Sequence, residues 1–478
     1  MRALAVCIAL ALLLAGCGSS KPSRPASSST LQATWHDPDG DGFLQRGPGE
    51  PLRDRIDLAR ATRPGRTLGT LAVLTDVHVR DEESPARVPF LDRLGGSFSS
   101  TFRPQDALSS QVLDAAVRAV DAQRPDAVLV TGDLIDNAQA NELALARTVL
   151  DGGVARPDSG ARGYDGVQAA GNPDPAYYRP DVDPPRHEGL LDAAQRPFRA
   201  PGLRAPWYPT PGNHDLLLAG ELARTPSTEA VAVGDQRLVR PDDSLDVPRS
   251  EDALTPQLVD SVLSGGLPGT TARLAPDPAR RELTPDEAVA GLRRASGHGG
   301  NGARMDYAFD AGGIRVIVID TVRRDVGSGG VIAPAQAQWL AAELARAGER
   351  RVIVVSHQPL TKVEGGAAAL ALLDRDPHVI AALAGDSHHN RISARRTAAG
   401  GYWLVQTAAL ADYPQQARML RVRETAGGGT VIETWMLDTA PDPLADTARE
   451  LAYLDAQGGR PQHEAGTRLD RNVRLFVG

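Results

Sequence analysis

The sequence predicts an α/β domain whose sheets are partly mixed. From Thr67 onward, short apolar strand patterns alternate with helical patterns, as in strand–helix–strand units. After Tyr402, the apolar runs follow one another without helices between them, which is typical of antiparallel hairpins. We expect the domain to span residues 67–440 and residues 441–478 to form a C-terminal tail.

The overall composition is that of a soluble globular protein. Of the 478 residues, 41% are hydrophobic and 23% are charged, and the length allows a large core. The formal net charge is −8, and no run of basic residues interrupts the sequence. A nucleic-acid-binding surface needs a concentrated positive footprint, so the sequence argues against nucleic acid as a partner.

The first residues have the pattern of an export signal. Arg2 precedes an apolar run that is too short to span a bilayer but long enough for a signal peptide. The run ends in Leu14-Ala15-Gly16-Cys17, which resembles the bacterial lipobox. An ordinary signal peptide that happens to contain a cysteine is the alternative. The Ser/Pro-rich tether that follows favours the lipobox.

We therefore expect residues 1–16 to be a lipoprotein signal peptide and Cys17 to carry a lipid. The mature protein would then be extracytoplasmic, in the bacterial cell envelope, with the membrane as a partner through the lipid anchor. Cys7 and Cys17 are the only cysteines, so the mature domain would contain no disulfide.

Residues 17–66 would hold the lipidated cysteine, a flexible tether and an N-terminal arm. Within the arm, Asp37, Asp39 and Asp41 have the spacing of the first half of a calcium loop. The glutamate expected at the twelfth loop position is missing, since Pro48 stands there. A bound Ca²⁺ is one interpretation, and a solvated Asp/Gly-rich turn is the one that we prefer.

Apolar periodicity places the elements of the domain. Thr70–Thr75 is a buried-strand run, and Ala107–Gln123 carries apolar residues at helical spacing. Pro334 begins a second predicted helix that ends at Ala347, and a missing N–H costs nothing at that position. The other predicted strands are Ala127–Thr131, Trp207–Thr210, Ile314–Asp320, Arg351–Ser356, Val379–Ala384, Tyr402–Thr407, Met419–Glu424 and Thr430–Leu437.

Two long stretches show no regular period. Residues 137–205 and 216–303 are rich in Pro, Gly, Asp and Arg. Loops of that length in a compact domain are usually functional or mobile, so we predict two loop insertions around the functional site.

Clusters of metal-competent residues follow five of the predicted strands. In open α/β sheets the carboxyl ends of the strands form the edge where ligands bind. Five clusters of Asp, Asn and His at one edge supply about the number of ligands that two divalent metals need. The clusters are Asp76-Val77-His78, Gly132-Asp133-Leu134-Ile135-Asp136, Gly212-Asn213-His214-Asp215, His357 after its strand, and Gly385-Asp386-Ser387-His388.

The order of these five motifs is similar to that of the calcineurin-like metallophosphoesterase superfamily. Any one motif would be weak evidence, but all five occur in order, each after an apolar strand. The resemblance covers about Thr67 to Leu437 and implies a four-layer α/β/β/α sandwich. It also implies two divalent metal ions that share a bridging hydroxide.

The resemblance assigns a role to each motif residue. Asp133 would bridge the two ions, and His214 would protonate the leaving group, oriented by Asp215. The remaining implied ligands are Asp76, His78 and His388 for one ion, and Asn213 and His357 for the other.

The last motif departs from the family pattern. The superfamily usually has G-H-x-H, and here Asp386 replaces the first histidine. Asp386 can still be a ligand, and a carboxylate there would shift the preference from zinc toward manganese or iron. Alternatively, the second metal binds weakly, or the neighbouring His389 takes its place. We favour Asp386, and expect Mn, Fe or Zn as the ions.

These observations predict a hydrolase that cleaves a phosphodiester or a phosphomonoester outside the cytoplasm. The substrate would be a small molecule or a phosphoester of the cell envelope. The alternative is a non-catalytic lipoprotein that binds a phosphorylated ligand on a degenerate metallophosphoesterase fold.

Overall fold

Two β-sheets packed face to face form the centre of the molecule. The computed structural model describes residues 28–86, 102–242, 245, 255–296, 304–459 and 464–478. The predicted signal peptide (1–16) and Cys17 lie outside the described residues. Within the described residues, we find no helix that is both long and apolar enough to cross a membrane.

Strands and helices alternate along the chain as predicted, with additional elements. The strands are β1 (Ala33–His36), β2 (Gln45–Pro48), β3 (Arg53–Arg55), β4 (Pro64–Leu74), β5 (Ala127–Thr131), β6 (Gly153–Ala155), β7 (Phe198–Ala200), β8 (Trp207–Thr210), β9 (Gln236–Pro241), β10 (Gly269–Arg273), β11 (Tyr307–Ala311), β12 (Ile314–Val318), β13 (Arg351–Val355), β14 (Val379–Ala384), β15 (Arg391–Thr397), β16 (Gly400–Gln406), β17 (Gln416–Thr425), β18 (Thr430–Asp438) and β19 (Val473–Val477). The helices are α1 (Ser109–Gln123), α2 (Ala140–Asp151), α3 (Leu190–Ala194), α4 (Asn213–Leu216), α5 (Pro226–Ala232), α6 (Pro256–Leu263), α7 (Pro285–Ser296), α8 (Pro334–Ala347), α9 (Gly366–Leu373) and α10 (Pro443–Gln457).

Each large sheet contains a parallel part. The first sheet has the order β3-β19-β18-β17-β4-β5-β8, in which β4, β5 and β8 are parallel. The second has the order β11-β12-β13-β14-β16-β15, in which β12, β13, β14 and β16 are parallel. Because the strands of a parallel set end at the same edge, the loops after them are brought together.

Alternating side chains place the second sheet between two apolar layers. In β12, Val316 and Val318 belong to the core shared with the first sheet, whereas Ile317 packs with the outer cluster that includes Leu340 and Leu344 of α8. This alternation is the period of two that a strand imposes on its side chains. On the other side, Leu113 of α1 belongs to the shared core, α1 packs on β17 and β18 of the first sheet, and α2 packs beside α1. The predicted four-layer α/β/β/α sandwich is therefore confirmed.

The two stretches predicted as loops contain regular structure, so that part of the prediction was wrong. The segment 137–205 contributes α2, α3 and the β6–β7 hairpin, and the segment 216–303 contributes α5, α6, α7 and the β9–β10 hairpin. Part of the second segment has a small core of its own, with Leu218, Leu238 and Val259. These elements are short and separated by Pro and Gly, which hides their periodicity from a scan of the sequence.

The two ends of the described chain also belong to the sandwich. Residues 441–478 do not form a tail, because they contribute α10 and β19, and β19 lies inside the first sheet between β18 and β3. Asp442 caps α10 by accepting hydrogen bonds from the backbone N–H groups of Leu444 and Ala445. From the N-terminal arm, β3 forms the edge of the same sheet and β1 pairs with β2.

Candidate metal centre

The predicted ligands converge at the edge where strands of both sheets end. Asp76 and His78 follow β4, Asp133 follows β5, and Asn213 follows β8 in the first sheet. His357 follows β13, and Asp386 and His388 follow β14 in the second sheet. Loops from both sheets thus build one polar site on top of a continuous apolar core.

Three imidazoles of this site are held by their Nδ1 atoms. Nδ1 of His78 lies 2.7 Å from Oδ1 of Asp136, and Nδ1 of His357 lies 2.9 Å from the carbonyl oxygen of Thr131. Nδ1 of His388 donates to the carboxylate of Asp412. Since carboxylate and carbonyl oxygens only accept hydrogen bonds, each Nδ1 carries a proton, and each Nε2 offers a lone pair to a cation once it is deprotonated.

These Nε2 atoms lie close enough to carboxylate oxygens for both kinds of atom to bind the same metal ion. Oδ2 of Asp133 lies 3.2 Å from Nε2 of His357 and 3.8 Å from Nε2 of His78. Nε2 of His388 lies 3.5 Å from Oδ1 of Asp76 and 3.3 Å from Nε2 of His78. Ligand atoms of Asp76, His78, Asp133 and His388 all lie within 4.8 Å of one another. This arrangement fits a divalent cation, with Asp133 facing imidazoles on two sides.

A second group of ligand atoms surrounds His357. Oδ1 of Asn213 lies 3.0 Å from Nε2 of His357, while Nδ2 of Asn213 donates to the carbonyl oxygen of Gly220 at 3.1 Å. That second bond fixes the amide so that its oxygen faces the site. Oδ1 of Asp386 lies 3.9 Å from Nε2 of His357. The structure thus places Asp386 beside the second ligand group.

The alternative ligand His389 is turned elsewhere. Its Nδ1 donates to the carbonyl oxygen of Ser387, and it belongs to none of the metal-competent groups in the described part of the chain. The backbone N–H of Asp386, in contrast, donates to Oδ1 of Asp76 at 3.0 Å, which ties the two motifs together.

The charge distribution supports cation binding. Burial lowers the pKa of His357, but the carboxylate of Asp133 outweighs it and holds that pKa well above its usual value. Burial and the neighbouring Asp76 and Asp133 carboxylates raise the pKa of Asp386 to about 6, against the opposing charge of His357. The surroundings of Nε2 of His357 therefore favour a positive charge, which a metal ion supplies.

His214 is oriented differently from the prediction. Asp215 does not contact its ring, because the Asp215 carboxylate accepts the N–H groups of Ile135 and Gly212. Nδ1 of His214 instead lies 2.9 Å from the carbonyl oxygen of Asp136 and 3.4 Å from Oδ1 of the same residue. Asp136 is therefore the orienting residue, and Asp215 holds the turn that carries His214.

His214 is poised to carry a proton. Burial lowers its pKa, but the carboxylates of Asp133 and Asp136 together raise it to about 9. Its Nε2 has no hydrogen-bond partner within the described residues, and 17% of its side chain is exposed. Gly220 packs on this ring so closely that a Cβ there would lie 2.5 Å from Nε2.

The ligand-bearing loops adopt strained backbone conformations. Left-handed φ values cost non-glycine residues about 1–3 kcal/mol each and are concentrated at functional sites. Five metal-site residues have them, namely Asp76 (48°), His78 (48°), Asp133 (48°), Asp386 (65°) and His388 (56°). Glycine is required beside them, since a Cβ on Gly212 would lie 2.1 Å from Oδ1 of Asp133.

A set of buried ion pairs behind the ligands was not predicted. Arg80 binds Asp136 with two nitrogens and lies 2.6 Å from Asp106. Asp106 also accepts the backbone N–H of Arg103 at 2.9 Å, and Nε of Arg103 lies 2.5 Å from Oδ1 of Asp412. We call these five residues the ion-pair chain. It connects the carboxylate that holds His78 to the one that holds His388.

The Asp/Gly-rich loop of the arm forms a turn. Asp37 accepts the backbone N–H groups of Gly40, Asp41 and Gly42 and the hydroxyl of Tyr453. The carboxylates of Asp37, Asp39 and Asp41 still come within 4.8 Å of one another. These contacts fit the solvated turn, and Ca²⁺ binding there stays a prediction.

Comparison with known proteins identifies the family. A family model of calcineurin-like phosphoesterases matches residues 69–390, which is more than half of the chain. None of the curated proteins matches the chain.

Solved structures resemble the chain only at low identity. They include a dimetal phosphatase from Danio rerio (14% identity, 79% of this chain and 100% of that chain covered, TM-score 0.38) and a purple acid phosphatase from yellow lupin (11%, 82% and 54%, TM-score 0.34). Because these TM-scores are low, the family is identified from the family model alone.

The ion-pair chain predicts the effect of Asp412→Asn. The variant removes the carboxylate that fixes His388, and losses of such partners typically weaken metal binding about 10- to 100-fold. Titration of the metal-free variant with Mn²⁺ or Zn²⁺ measures this loss of metal affinity. Asp374→Asn is the matched control, because Asp374 also pairs with an arginine, Arg395, but contacts none of the site residues. Equal metal affinity in the two variants would contradict the positioning role of Asp412.

Proposed function

The chain belongs to the calcineurin-like phosphoesterase family, and on that premise we propose that it cleaves a phosphodiester or a phosphomonoester outside the cytoplasm with two divalent cations. As a member of this family it is a metal-dependent phosphoric ester hydrolase. The observation that carries the proposal is the convergence of three imidazole Nε2 atoms on the oxygens of Asp76 and Asp133.

The residues divide into two ligand sets that share Asp133. Asp76, His78 and His388 would hold one cation, and Asn213, His357 and Asp386 the other. When bound, two such ions supply Lewis acidity to the phosphoryl oxygens and acidify a water molecule. The protein's part is to hold the ligands in a buried site where water competes little for the charges.

His214 is the residue that we propose protonates the leaving oxygen. Its Nδ1 is bound to Asp136, so Nε2 is the atom that can deliver a proton to substrate. A binding protein without catalysis would not need a protonated imidazole held at the mouth of the site. This observation favours the hydrolase over the alternative of a phosphate-binding lipoprotein.

Asp386 affects both the metal and the substrate. A carboxylate in place of an imidazole favours manganese or iron over zinc, because it is the harder ligand. It also adds one negative charge to the site, and this charge repels a dianionic phosphomonoester more than a monoanionic phosphodiester. We therefore favour a phosphodiester of the cell envelope, or a small-molecule diester, as the substrate.

The proposed location depends on Cys17. The lipobox-like sequence and the tether support an extracytoplasmic protein anchored to the membrane by a lipid on that cysteine. The Ser/Pro-rich tether after Cys17 would leave the catalytic domain free to reach substrates near the membrane.

Metal dependence is tested by removing the ions and adding them back. The stripped full chain should be inactive, and Mn²⁺ or Fe²⁺ should restore more activity than Zn²⁺. The chain reloaded with metal should hydrolyse bis(p-nitrophenyl) phosphate faster than p-nitrophenyl phosphate. Asp133→Asn should stay at the metal-free level, because it removes the shared ligand. The control Asp310→Asn changes an exposed carboxylate and should behave as the unaltered protein. No turnover with any metal would overturn the proposed hydrolysis.

The role of His214 is tested by varying the leaving group. A proton donor contributes about 10²- to 10⁴-fold, and only where the leaving oxygen needs protonation. His214→Gln should therefore lower kcat strongly for an alkyl ester and much less for a p-nitrophenyl ester of the same class. His378→Gln, a partly exposed histidine beside Asp376, should change neither rate. Equal losses for both esters would show that His214 is not the proton donor.

The location is tested by comparing the two cysteines. In a bacterial host, the unaltered chain should incorporate labelled palmitate and fractionate with membranes, and Cys17→Ser should lose both properties. Cys7→Ser should retain them, because Cys7 lies within the predicted signal peptide. Continued labelling of Cys17→Ser would refute the lipid anchor.

A further inference from the structure

A cavity of about 730 Å³ lies next to the metal centre but outside it. Its walls come from β1 and β2 of the arm on one side, and from Tyr413, Gln416 and the segment 465–471 on the other. None of the metal-site residues lines it. Asp412 separates the two sites, since its buried carboxylate faces His388 and Arg103 and the next residue, Tyr413, borders the cavity.

The cavity has a positive lining in a chain that is negative overall. Four arginines line it, against the two acidic residues Asp37 and Glu50. Glu50 is held by Arg471 through two contacts of 2.6 and 2.9 Å. Asp37 is held by three backbone N–H groups and a tyrosine hydroxyl. Both carboxylates are thus engaged within the protein.

Two of the lining guanidinium groups are available to a ligand. The side chain of Arg53 makes no hydrogen bond or ion pair within the part of the chain that the structure describes. Nε of Arg468 lies 3.8 Å from the nearest carboxylate oxygen, that of Glu50, which Arg471 already binds. A positive cavity of this kind attracts an anion.

Aromatic side chains lie on the wall beside these arginines. Trp35 and Tyr413 line the cavity, and the guanidinium groups of Arg46 and Arg449 lie 5.8 and 4.8 Å from the centre of the Trp35 ring. The hydroxyl of Tyr413 has no hydrogen-bond partner among the described residues. Aromatic rings provide apolar surface for a planar ligand, and the unpaired hydroxyl of Tyr413 can form a further hydrogen bond.

We propose that this cavity binds an organic anion that carries an aromatic ring. The ring packs against Tyr413, beside Trp35 and Arg46, and the anionic head contacts Arg53 and Arg468. A nucleoside phosphate and an aromatic sulfonate share this chemistry. The site is distinct from the metal centre, so binding does not require metal.

The test uses naphthalene-1-sulfonate, which a phosphoesterase cannot hydrolyse. Calorimetric titration of the full chain in excess EDTA should give one binding site per chain. Inorganic sulfate provides the anionic head alone, and naphthalene-1-methanol provides the aromatic ring alone. Each should bind at least about tenfold more weakly than naphthalene-1-sulfonate, which combines the two. Adenosine 5′-phosphate, in the same buffer, tests the nucleotide form of the ligand.

Matched arginine variants locate the site. Arg53→Gln removes a charge-assisted hydrogen bond to the anionic head, so it should weaken binding of naphthalene-1-sulfonate by about tenfold or more. Arg199→Gln, on the exposed strand β7, should leave it unchanged. Thermal unfolding of both variants checks that neither alters folding.

Several results would overturn the proposal. These are no heat of binding at millimolar naphthalene-1-sulfonate, equal weakening by Arg53→Gln and Arg199→Gln, or binding of sulfate alone as strong as that of the combined probe. Because the titration is done without metal, its failure would not bear on phosphoester hydrolysis. Tighter binding of adenosine 5′-phosphate than of the sulfonate would support the proposal and identify the head group as a phosphate.

Discussion

The metal centre depends on buried carboxylates that hold imidazoles by Nδ1. His78 and His388 are fixed by Asp136 and Asp412, and these carboxylates are themselves paired with Arg80 and Arg103. Breaking a buried ion pair by removing one partner costs roughly 3–5 kcal/mol, because the other charge is left uncompensated. The arginines therefore allow several carboxylates to lie together in the core, which their mutual repulsion would otherwise prevent.

The sandwich provides the geometry on which these contacts act. One proposed ligand set comes mainly from the ends of β4 and β5, and the other from the ends of β8, β13 and β14. Loops from two different sheets can meet only if the sheets pack with their strand ends aligned, and the shared apolar core fixes that alignment. The left-handed backbone of Asp76 and Asp133 is stable because this rigid framework over-determines it.

The sequence allowed the strands and the ligands to be predicted, because both signals are local. Ala127–Thr131 and Val379–Ala384 are apolar runs whose limits agree with β5 and β14, and each ends next to its motif. Arg103 and Asp412 could not be paired in this way, since 309 positions separate them and neither belongs to a motif. Asp136 belongs to a motif that the sequence shows, but only the fold reveals that Asp136, and not Asp215, contacts His214.

The chain ends matter for the site because they surround the loop that carries Asp412. Thr30 of the arm hydrogen-bonds to Asn472, whose amide donates to the carbonyl oxygen of Glu50, and Glu50 binds Arg471. Gln416, four residues after Asp412, donates to Asp438 at the end of β18. These contacts join the arm to the C-terminal segment, and join Gln416 to the end of β18. Asp438, which also accepts a hydrogen bond from Thr34, thus connects the arm with the loop that carries Asp412, although the arm holds none of the candidate ligands.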